Sequence, residues 1–487
     1  MRASLASSIA ITCAAVLALP VSLAAPAAAA VPSALGLPPA ATALPPAPEL
    51  PGSTQSLPLV PLGAATRSLG GGATGSGEQG LTRRDVRPFS LVGVVWDDPA
   101  APLHGTVQVR TRPTGGGAWS PWQDVETHNE EHGADPDTAE GSAQALRGST
   151  APLWVGDSDG VEIRVRGEEA LPAGLRLELV DPGEDPAAAP EEGAQQEGAP
   201  RDGAPATRSA MVPAAPAAPA APAGLSAAEA AASGVNAQLA PYGATWIPAL
   251  SKEETELTVR NMPQEAAAPQ RQAGQAAHAA VAAQPYIGPR PKIITRKGWG
   301  ADERLREKGF VYTKTIKAAF VHHSATGNNY TCRQAPSVLR SIYRYHVKSS
   351  GWRDFGYNFA VDKCGNIYEG RAGGVAKPVM GAHTLGFNTN SMGIAVLGTF
   401  SKSNPPAAAV TAVARLTAWK LGLYGVNPKG TSYLISGGGN LYKKGRKVRF
   451  NAIAGHRDGF ATECPGVRLY GKLGTARASS AKYQGRR

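Results

Sequence analysis

Two long Ala/Pro-rich stretches are the strongest constraint on how this chain can fold. Residues 31–83 are rich in Pro, Ala, Gly and Ser. Residues 183–285 are rich in Ala, Pro, Glu and Gln, with Ala-Ala-Pro repeats around 213–223 and weakly helical pieces such as 225–233. Such compositions offer too few large apolar side chains to bury a core, so we expect disordered linkers there. The ordered parts of the 487-residue chain should therefore lie at 84–182 and 286–487.

Residues 1–30 have the pattern of a secretory signal peptide. Arg2 precedes an apolar segment, Ile9–Leu23, and Ala28-Ala29-Ala30 forms a small-residue cleavage site. A membrane anchor is the weaker interpretation, because the apolar segment is shorter than the ~20 residues that span a bilayer. No later stretch is long or apolar enough to span, so we expect an exported protein with no membrane span.

Residues 84–182 alternate apolar and polar side chains in short runs separated by Gly and Pro. The alternation is clearest at Thr106–Arg112, Val161–Arg166 and Leu175–Val180. Period-two runs without helical stretches predict a small all-β domain, sandwich-like in architecture. Its tryptophans, Trp119, Trp122 and Trp154, have the shape to stack on sugars, but we expect at least two of them in the core.

A His-rich string in the same region has the spacing of a metal motif without its other features. His128-Asn129-Glu130-Glu131-His132 places two histidines four residues apart. A zinc-peptidase helix needs Glu directly after the first His, where Asn129 stands, and the flanking residues have no helical period. We therefore expect no metal role for His128 or His132.

Residues 286–487 interleave strand and helix patterns. Ile316–His322 and Ser391–Gly398 are apolar runs of strand length, whereas Ala335–Val347 and Ala407–Leu423 repeat apolar residues at helical spacing. This order predicts an α/β domain with a mixed central sheet and helices packed on it.

The net charge of +11 is divided unevenly along the chain. Residues 286–487 carry 33 Lys and Arg against 8 Asp and Glu, a balance of +25, while residues 1–285 carry −14. A basic C-terminal part suits a polyanionic partner, and export favours anionic wall polymers over nucleic acid. The densest basic run, KKGRK at 443–447, fits a solvated loop and a wall contact equally well.

Three separated side chains form a candidate zinc site. They are His322 in FVHHSAT (320–326), followed by His456 and Cys464 in AGHRDGFATECPG (454–466). Two imidazoles and one thiolate leave the fourth position of a tetrahedral zinc open for water. An open zinc polarises a carbonyl and acidifies the water, so the set predicts hydrolysis.

These strings, with DFGYNFAVDKCGNIYEGR (354–371), resemble the zinc amidases of the peptidoglycan recognition protein and type 2 amidase superfamily over residues 291–470. That family cuts the amide between the lactyl group of N-acetylmuramic acid and L-alanine in bacterial peptidoglycan. The resemblance implies one Zn²⁺ per chain, with His322 rather than His323 as ligand.

The resemblance also assigns roles around the metal. Tyr357 and Thr462 match residues beside the zinc, which implies that they stabilise the tetrahedral intermediate. Ala395 stands where a cytoplasmic branch has a carboxylate, which excludes a glutamate base from this strand. GAHTLGFNTNSMG (381–393) resembles the substrate groove, with His383 and Asn388 as hydrogen-bonding candidates.

Removal of the signal leaves three cysteines, Cys332, Cys364 and Cys464. In an oxidising compartment an odd number implies one bridge and one thiol with another task. Some bacterial family members carry a pair like Cys332 and Cys364, so the resemblance implies a disulfide between them and leaves Cys464 for metal. The alternative is that either is a buried free thiol.

The sequence therefore predicts a secreted, wall-associated, monomeric zinc N-acetylmuramoyl-L-alanine amidase that acts on peptidoglycan and does not bind nucleic acid. The first alternative is a peptidoglycan-binding module without catalysis, which arises in this family when the metal cysteine becomes Ser. The second is an unrelated zinc peptidase or esterase on a similar scaffold.

Overall fold

Two β-sheets organise the part of the chain that the computed structural model describes, which is residues 52–62, 77–185, 224–261 and 286–487. The predicted signal peptide at 1–30 lies outside these residues, as do much of the predicted spacer and linker. Within the described ranges, no helix has the length and apolar character needed to cross a membrane.

The N-terminal sheet has eight antiparallel strands. Its main path runs β1-β8-β3-β7-β4-β5, and β2 and β6 also pair with β3. The strands are β1 Ser53–Pro58, β2 Val60–Pro61, β3 Glu78–Trp96, β4 Gly105–Pro113, β5 Gln123–Val125, β6 Gly148–Ser149, β7 Leu153–Gly167 and β8 Arg176–Asp181. The prediction of a small all-β domain is confirmed.

The alternating side chains of this domain point into one apolar core. Members of that core include Val107 and Val109 of β4, Ile163 of β7 and Leu177 of β8, all almost fully buried. Strand β1 lies inside the predicted spacer, yet it pairs with β8 along its whole length. The pairing is made by backbone hydrogen bonds, which depend little on side-chain composition. The Pro-rich composition of the spacer therefore did not indicate a strand.

The prediction that at least two of the three tryptophans lie in the core was wrong, because only Trp154 does. Trp154 is 4% exposed and belongs to the buried core. Trp119 and Trp122 are only half-buried. The Arg110 guanidinium lies over both of these rings, 5.8 and 4.9 Å from their centroids. Cation–π stacking at the surface therefore takes the place of core packing.

The C-terminal sheet has seven strands in the order β17-β11-β14-β12-β13-β10-β9. They are β9 Trp246–Ile247, β10 Ile293–Ile294, β11 Ala318–His323, β12 Phe359–Val361, β13 Ile367–Glu369, β14 Ser391–Val396 and β17 Ile453–Gly455. Strand β11 is parallel to β14 and β17, whereas β12 and β13 are antiparallel. A separate hairpin joins β15 Thr431–Ile435 to β16 Lys447–Asn451. The predicted mixed sheet is confirmed.

Helices cover both faces of this sheet. They are α1 Ala227–Gly234, α2 Lys252–Asn261, α3 Arg296–Trp299, α4 Ala335–Arg344, α5 Ala407–Leu423, α6 Val467–Tyr470 and α7 Leu473–Tyr483. Helices α5 and α7 bury Leu416 and Leu473 against Val321 and Ile394 of the sheet. Helix α4 packs on the opposite face, with Leu339 beside Ala360 and Ala395.

Helix α4 also contacts the N-terminal domain, so it is shared between the two sheets. Val338 and Ile342 share a buried cluster with Leu91 and Trp154. Just beyond the helix, the buried Tyr345 hydroxyl donates to the backbone carbonyl of Thr150 at 3.0 Å. Apolar contact of this kind holds the two domains in a defined arrangement.

The structure differs from the predicted linker over residues 224–261. Helix α1 begins with a capping box between Ser226 and Glu229, and β9 extends the C-terminal sheet. Asn236 donates a hydrogen bond to Glu369 at 2.8 Å, which ties the segment to β13. Helix α1 coincides with the weakly helical piece predicted at 225–233, since alanine is the strongest helix former. The remaining order of the segment comes from its packing against the C-terminal domain.

Cys332 and Cys364 are bonded to each other, as the resemblance implied, and Cys464 is a buried free thiol. The bridge ties the turn before α4 to the hairpin between β12 and β13 and closes a loop with a sequence separation of 32.

Cys332→Ser with Cys364→Ser should lower the free energy of unfolding by about 3 kcal/mol, through loss of the cross-link in the unfolded chain. Chemical denaturation measures this. Dithiothreitol should destabilise the wild type similarly and leave the double variant unchanged; equal stability of the two proteins would contradict the prediction.

Candidate metal centre

The three predicted ligands meet at one edge of the C-terminal sheet. His322 lies at the end of β11, and His456 begins a 3₁₀ turn directly after β17. Because these strands are parallel neighbours, their carboxyl ends lie side by side. The loop after His456 brings Cys464 to the same place, with its Sγ 3.8 Å from Nδ1 of His322. The imidazole centroids of His322 and His456 are 4.4 Å apart.

The neighbouring histidine, His323, faces the other way. Its Nδ1 accepts a hydrogen bond from the backbone N–H of Phe400 at 3.3 Å, and burial lowers its pKa to about 4. A neutral imidazole that accepts a backbone hydrogen bond orders the loop after β14. His323 therefore has a structural role in this arrangement.

A third histidine, His132, lies in the same cluster, contrary to the sequence expectation. Its Nε2 is 3.9 Å from Sγ of Cys464, and its ring centroid is 4.6 Å from that of His456. One donor atom from each of His132, His322, His456 and Cys464 lies within 4.8 Å of all the others. The argument against His132 assumed that both histidines of the string act on one helix. The structure instead uses one of them, on a loop, together with ligands from another domain.

The chemistry of these four side chains fits a tetrahedral zinc. Zinc–nitrogen and zinc–sulfur distances of ~2.0–2.3 Å separate donor atoms by about 3.3–3.6 Å, close to the spacings here. Burial lowers the pKa of His456 far below its usual value, so the imidazole is neutral, as a ligand must be. Both ring nitrogens of His456 and Nδ1 of His132 are buried without a hydrogen-bond partner among the described residues. Burial also raises the pKa of the Cys464 thiol, so a thiolate there needs a cation beside it.

Residues behind the cluster orient the His322 ring. The Thr384 hydroxyl lies 3.4 Å from Nε2 of His322 and 3.0 Å from Nδ1 of His383. This contact holds the Nδ1 of His322 toward Cys464, as outer partners of metal-binding histidines do. His383, predicted to bind substrate, is fully buried and lies behind His322 in this structure.

Asn388, the other predicted substrate group, is also buried. Its side-chain oxygen accepts hydrogen bonds from the backbone N–H groups of His383 and Thr384, at 2.7 and 3.1 Å. Its amide nitrogen donates to the carbonyl of Gly133 and to the Asp135 carboxylate, both at 2.8 Å. Neither predicted residue therefore lies on an open surface here: Gly133 and Asp135 of the N-terminal domain cover Asn388, and His383 lies behind His322.

Tyr357 and Thr462 both lie beside the cluster. The Tyr357 ring is buried 5.2 Å from that of His322, and burial raises the pKa of its phenol well above the usual value. The Thr462 hydroxyl donates to the Glu131 carboxylate at 2.6 Å and accepts from the Cys464 backbone N–H at 3.1 Å. Burial raises the pKa of Glu131 to about 7. The protonated Tyr357 phenol can donate a hydrogen bond, whereas the Thr462 hydroxyl already donates to Glu131.

Comparison with known proteins identifies the families to which the two domains are similar. Residues 312–467 match the family described as N-acetylmuramoyl-L-alanine amidase, and residues 39–207 match a domain described as "Rv3811 N-terminal galactose-binding domain-like". Peptidoglycan-recognition protein SC2 of Drosophila melanogaster is 30% identical over 185 residues, which is 38% of this chain and 85% of that protein. The human N-acetylmuramoyl-L-alanine amidase is 30% identical over 192 residues, 38% of this chain and 28% of the human protein.

Among solved structures, wild-type Drosophila PGRP-LB is 26% identical, covering 38% of this chain and 92% of that one with a TM-score of 0.30. The fold and site define an α/β domain with a histidine and cysteine cluster at its sheet edge. Through that domain the chain belongs to the peptidoglycan recognition protein and type 2 amidase superfamily. The resemblance seen in the sequence is thereby confirmed.

Proposed function

We propose that this protein is an exported zinc-dependent N-acetylmuramoyl-L-alanine amidase that cleaves the lactyl–L-alanine amide of peptidoglycan. The observation that carries the proposal is the convergence of His322, His456 and Cys464 with Tyr357 beside them. A zinc ion held by these ligands would supply a Lewis acid for the scissile carbonyl and lower the pKa of an attacking water.

The chain's own residues would supply the remaining interactions. The buried Tyr357 phenol stays protonated across the working pH range, because burial raises its pKa. It can therefore donate a hydrogen bond to the oxygen on which negative charge develops. The Thr462 hydroxyl lies two residues from Cys464 and would add a second donor once it is released from Glu131.

The basic surface of the C-terminal domain supports a polyanionic partner. The KKGRK run at 443–447 lies at the turn between β15 and β16, and its four basic side chains are exposed. Exposed positive charge raises the local concentration of anionic polymers, and salt weakens the effect. Peptidoglycan carrying anionic wall polymers suits this surface.

Analysis of product ends tests the function. We expect the zinc-loaded full-length chain to expose new N-terminal L-alanine on purified sacculi without new reducing sugar ends. A chelator should abolish the release, and added zinc should restore it. Amino termini on other residues would mean an endopeptidase. Sedimentation with sacculi would favour the binding module if neither this chain nor variants that open its metal cluster cleave them.

A further inference from the structure

One segment of the N-terminal domain lies across the metal centre. We call residues 126–147, which connect β5 to β6, the strap. The strap carries six acidic residues and one basic residue. Three of its carboxylates, Glu131, Asp135 and Glu140, are at most 7% exposed. Acidic side chains are rarely so buried unless they have specific partners, and here the partners belong to the C-terminal domain.

The strap contributes His132 to the metal cluster. Its imidazole is only 7% exposed and lies among His322, His456 and Tyr357, with ring centroids 4.6–5.8 Å away. The buried Nδ1 has no hydrogen-bond partner among the described residues, while Nε2 faces the Cys464 sulfur. Zinc with three protein ligands keeps a position for water, whereas four protein ligands close the site.

The strap also occupies the loop predicted to bind substrate. The Asp135 carboxylate accepts hydrogen bonds from the Gly386 backbone N–H and the Asn388 amide, both at 2.8 Å. The Leu385 backbone N–H donates to the carbonyl of Glu131 at 3.0 Å. These are backbone and amide groups of the kind that would recognise a peptide, and here they are satisfied by the chain itself.

A buried ion pair fastens the far end of the strap. The Arg371 guanidinium donates to both oxygens of Glu140, at 2.7 and 2.8 Å, and both side chains are buried. The Arg353 backbone N–H donates to the same carboxylate at 3.1 Å. A bidentate pair of this kind holds the strap in one position.

Little space remains between the strap and the metal cluster. The cavity lined by His132, His323, Tyr357 and Cys464 has a volume of about 20 Å³. That volume accommodates one water molecule and excludes a sugar or a peptide. This cavity would have to widen before a sugar or a peptide could approach Cys464 through it.

We propose that this arrangement is a latent form of the enzyme, in which His132 is the fourth zinc ligand and the strap fills the substrate groove. Latency rests on the proposed amidase function, whereas the assignment of His132 as a zinc ligand does not depend on it. Displacement of the strap would open the fourth position and free Thr462 and Asn388 together. The shared helix α4 keeps the domains docked, so the strap stays near the site.

Metal binding in the full-length chain tests the ligand assignment without an activity measurement. We expect His132→Ala to lower the affinity for zinc by at least the roughly 10–100-fold that follows loss of an outer-shell partner. Competition with a chromophoric chelator measures this affinity. The cobalt-substituted protein should change its visible absorption, because one nitrogen donor is lost. His104→Ala removes an exposed histidine of the same domain and should leave both readouts unchanged. Unaltered zinc affinity and spectrum in the His132 variant would overturn the assignment.

Loosening the strap away from the metal tests latency. Glu140→Gln removes the charge that pairs with Arg371 but keeps all four metal-binding side chains. We expect this variant and His132→Ala to release L-alanine ends from sacculi roughly 5–150-fold faster than the wild type, the usual span of such couplings. A wild type as fast as both variants would overturn latency and leave the amidase function standing. Absence of cleavage in every protein, with a changed cobalt spectrum, would reject the amidase function and retain the ligand assignment.

Discussion

Replacing His322 by alanine should strongly weaken zinc binding and abolish peptidoglycan cleavage, whereas replacing the adjacent His323 should preserve both. His322 lies at the end of β11 with Nδ1 toward Cys464, while His323 accepts a hydrogen bond from the Phe400 backbone. Loss of a ligand should lower the affinity for zinc by at least the roughly 10–100-fold seen when an outer-shell partner is lost. Cleavage should fall to the level of the chelated wild type.

The histidine pair provides its own control. Both side chains are buried, so either substitution removes an imidazole from the interior. The His323 variant should lose about 1–3 kcal/mol of stability, because the Phe400 N–H is left without its acceptor. Elemental analysis for zinc and denaturant unfolding separate the two effects. Full zinc content in the His322 variant, or none in the His323 variant, would reject the assignment.

Tyr357→Phe is expected to lower kcat by about 10²–10³ while KM and zinc affinity change little. The substitution removes one hydroxyl and keeps the ring that packs 5.2 Å from His322. If the phenol donates to the developing oxyanion, its loss acts on the transition state more than on bound substrate. Steady-state kinetics on a soluble muropeptide, with zinc titration alongside, measures the three quantities.

Tyr368→Phe is the matched control for that variant. The Tyr368 hydroxyl is also buried, and it donates to Asp362 at 2.9 Å on the opposite side of β12 from the metal. Its loss should cost about 1 kcal/mol of stability and leave kcat unchanged. Equal kinetic losses in the two tyrosine variants would mean that Tyr357 acts through packing rather than as a donor.

Much of the C-terminal domain was predictable because its signals are local. The helix at Ala407–Leu423 appears in the structure with the predicted bounds, and the strand before His322 lies within two residues of its prediction. A run of apolar residues at one period fixes element type over 6–17 residues of chain. The candidate ligands could be named because their surrounding strings resemble a known family.

Other features had weak or ambiguous local signals. Strand β1 lies in a stretch rich in Pro and Ser, which favoured a spacer, and helix α1 gave only a weak helical signal within an Ala-rich linker. Each is ordered by pairing or packing with a distant part of the chain. Glu369, for example, accepts the hydrogen bond from Asn236 across 133 positions of sequence.

The sequence by itself determined the α/β class, the β-rich N-terminal domain and the set of His322, His456 and Cys464 as candidate ligands. Only the tertiary structure decided that His132 joins them and that Asn388 is covered rather than open. A ligand set is defined by distances between donor atoms, and His132 comes within reach only when the two domains share α4. Contacts between residues as distant as His132 and Cys464, 332 positions apart, leave no period or spacing in a single sequence, so packing alone brings them together.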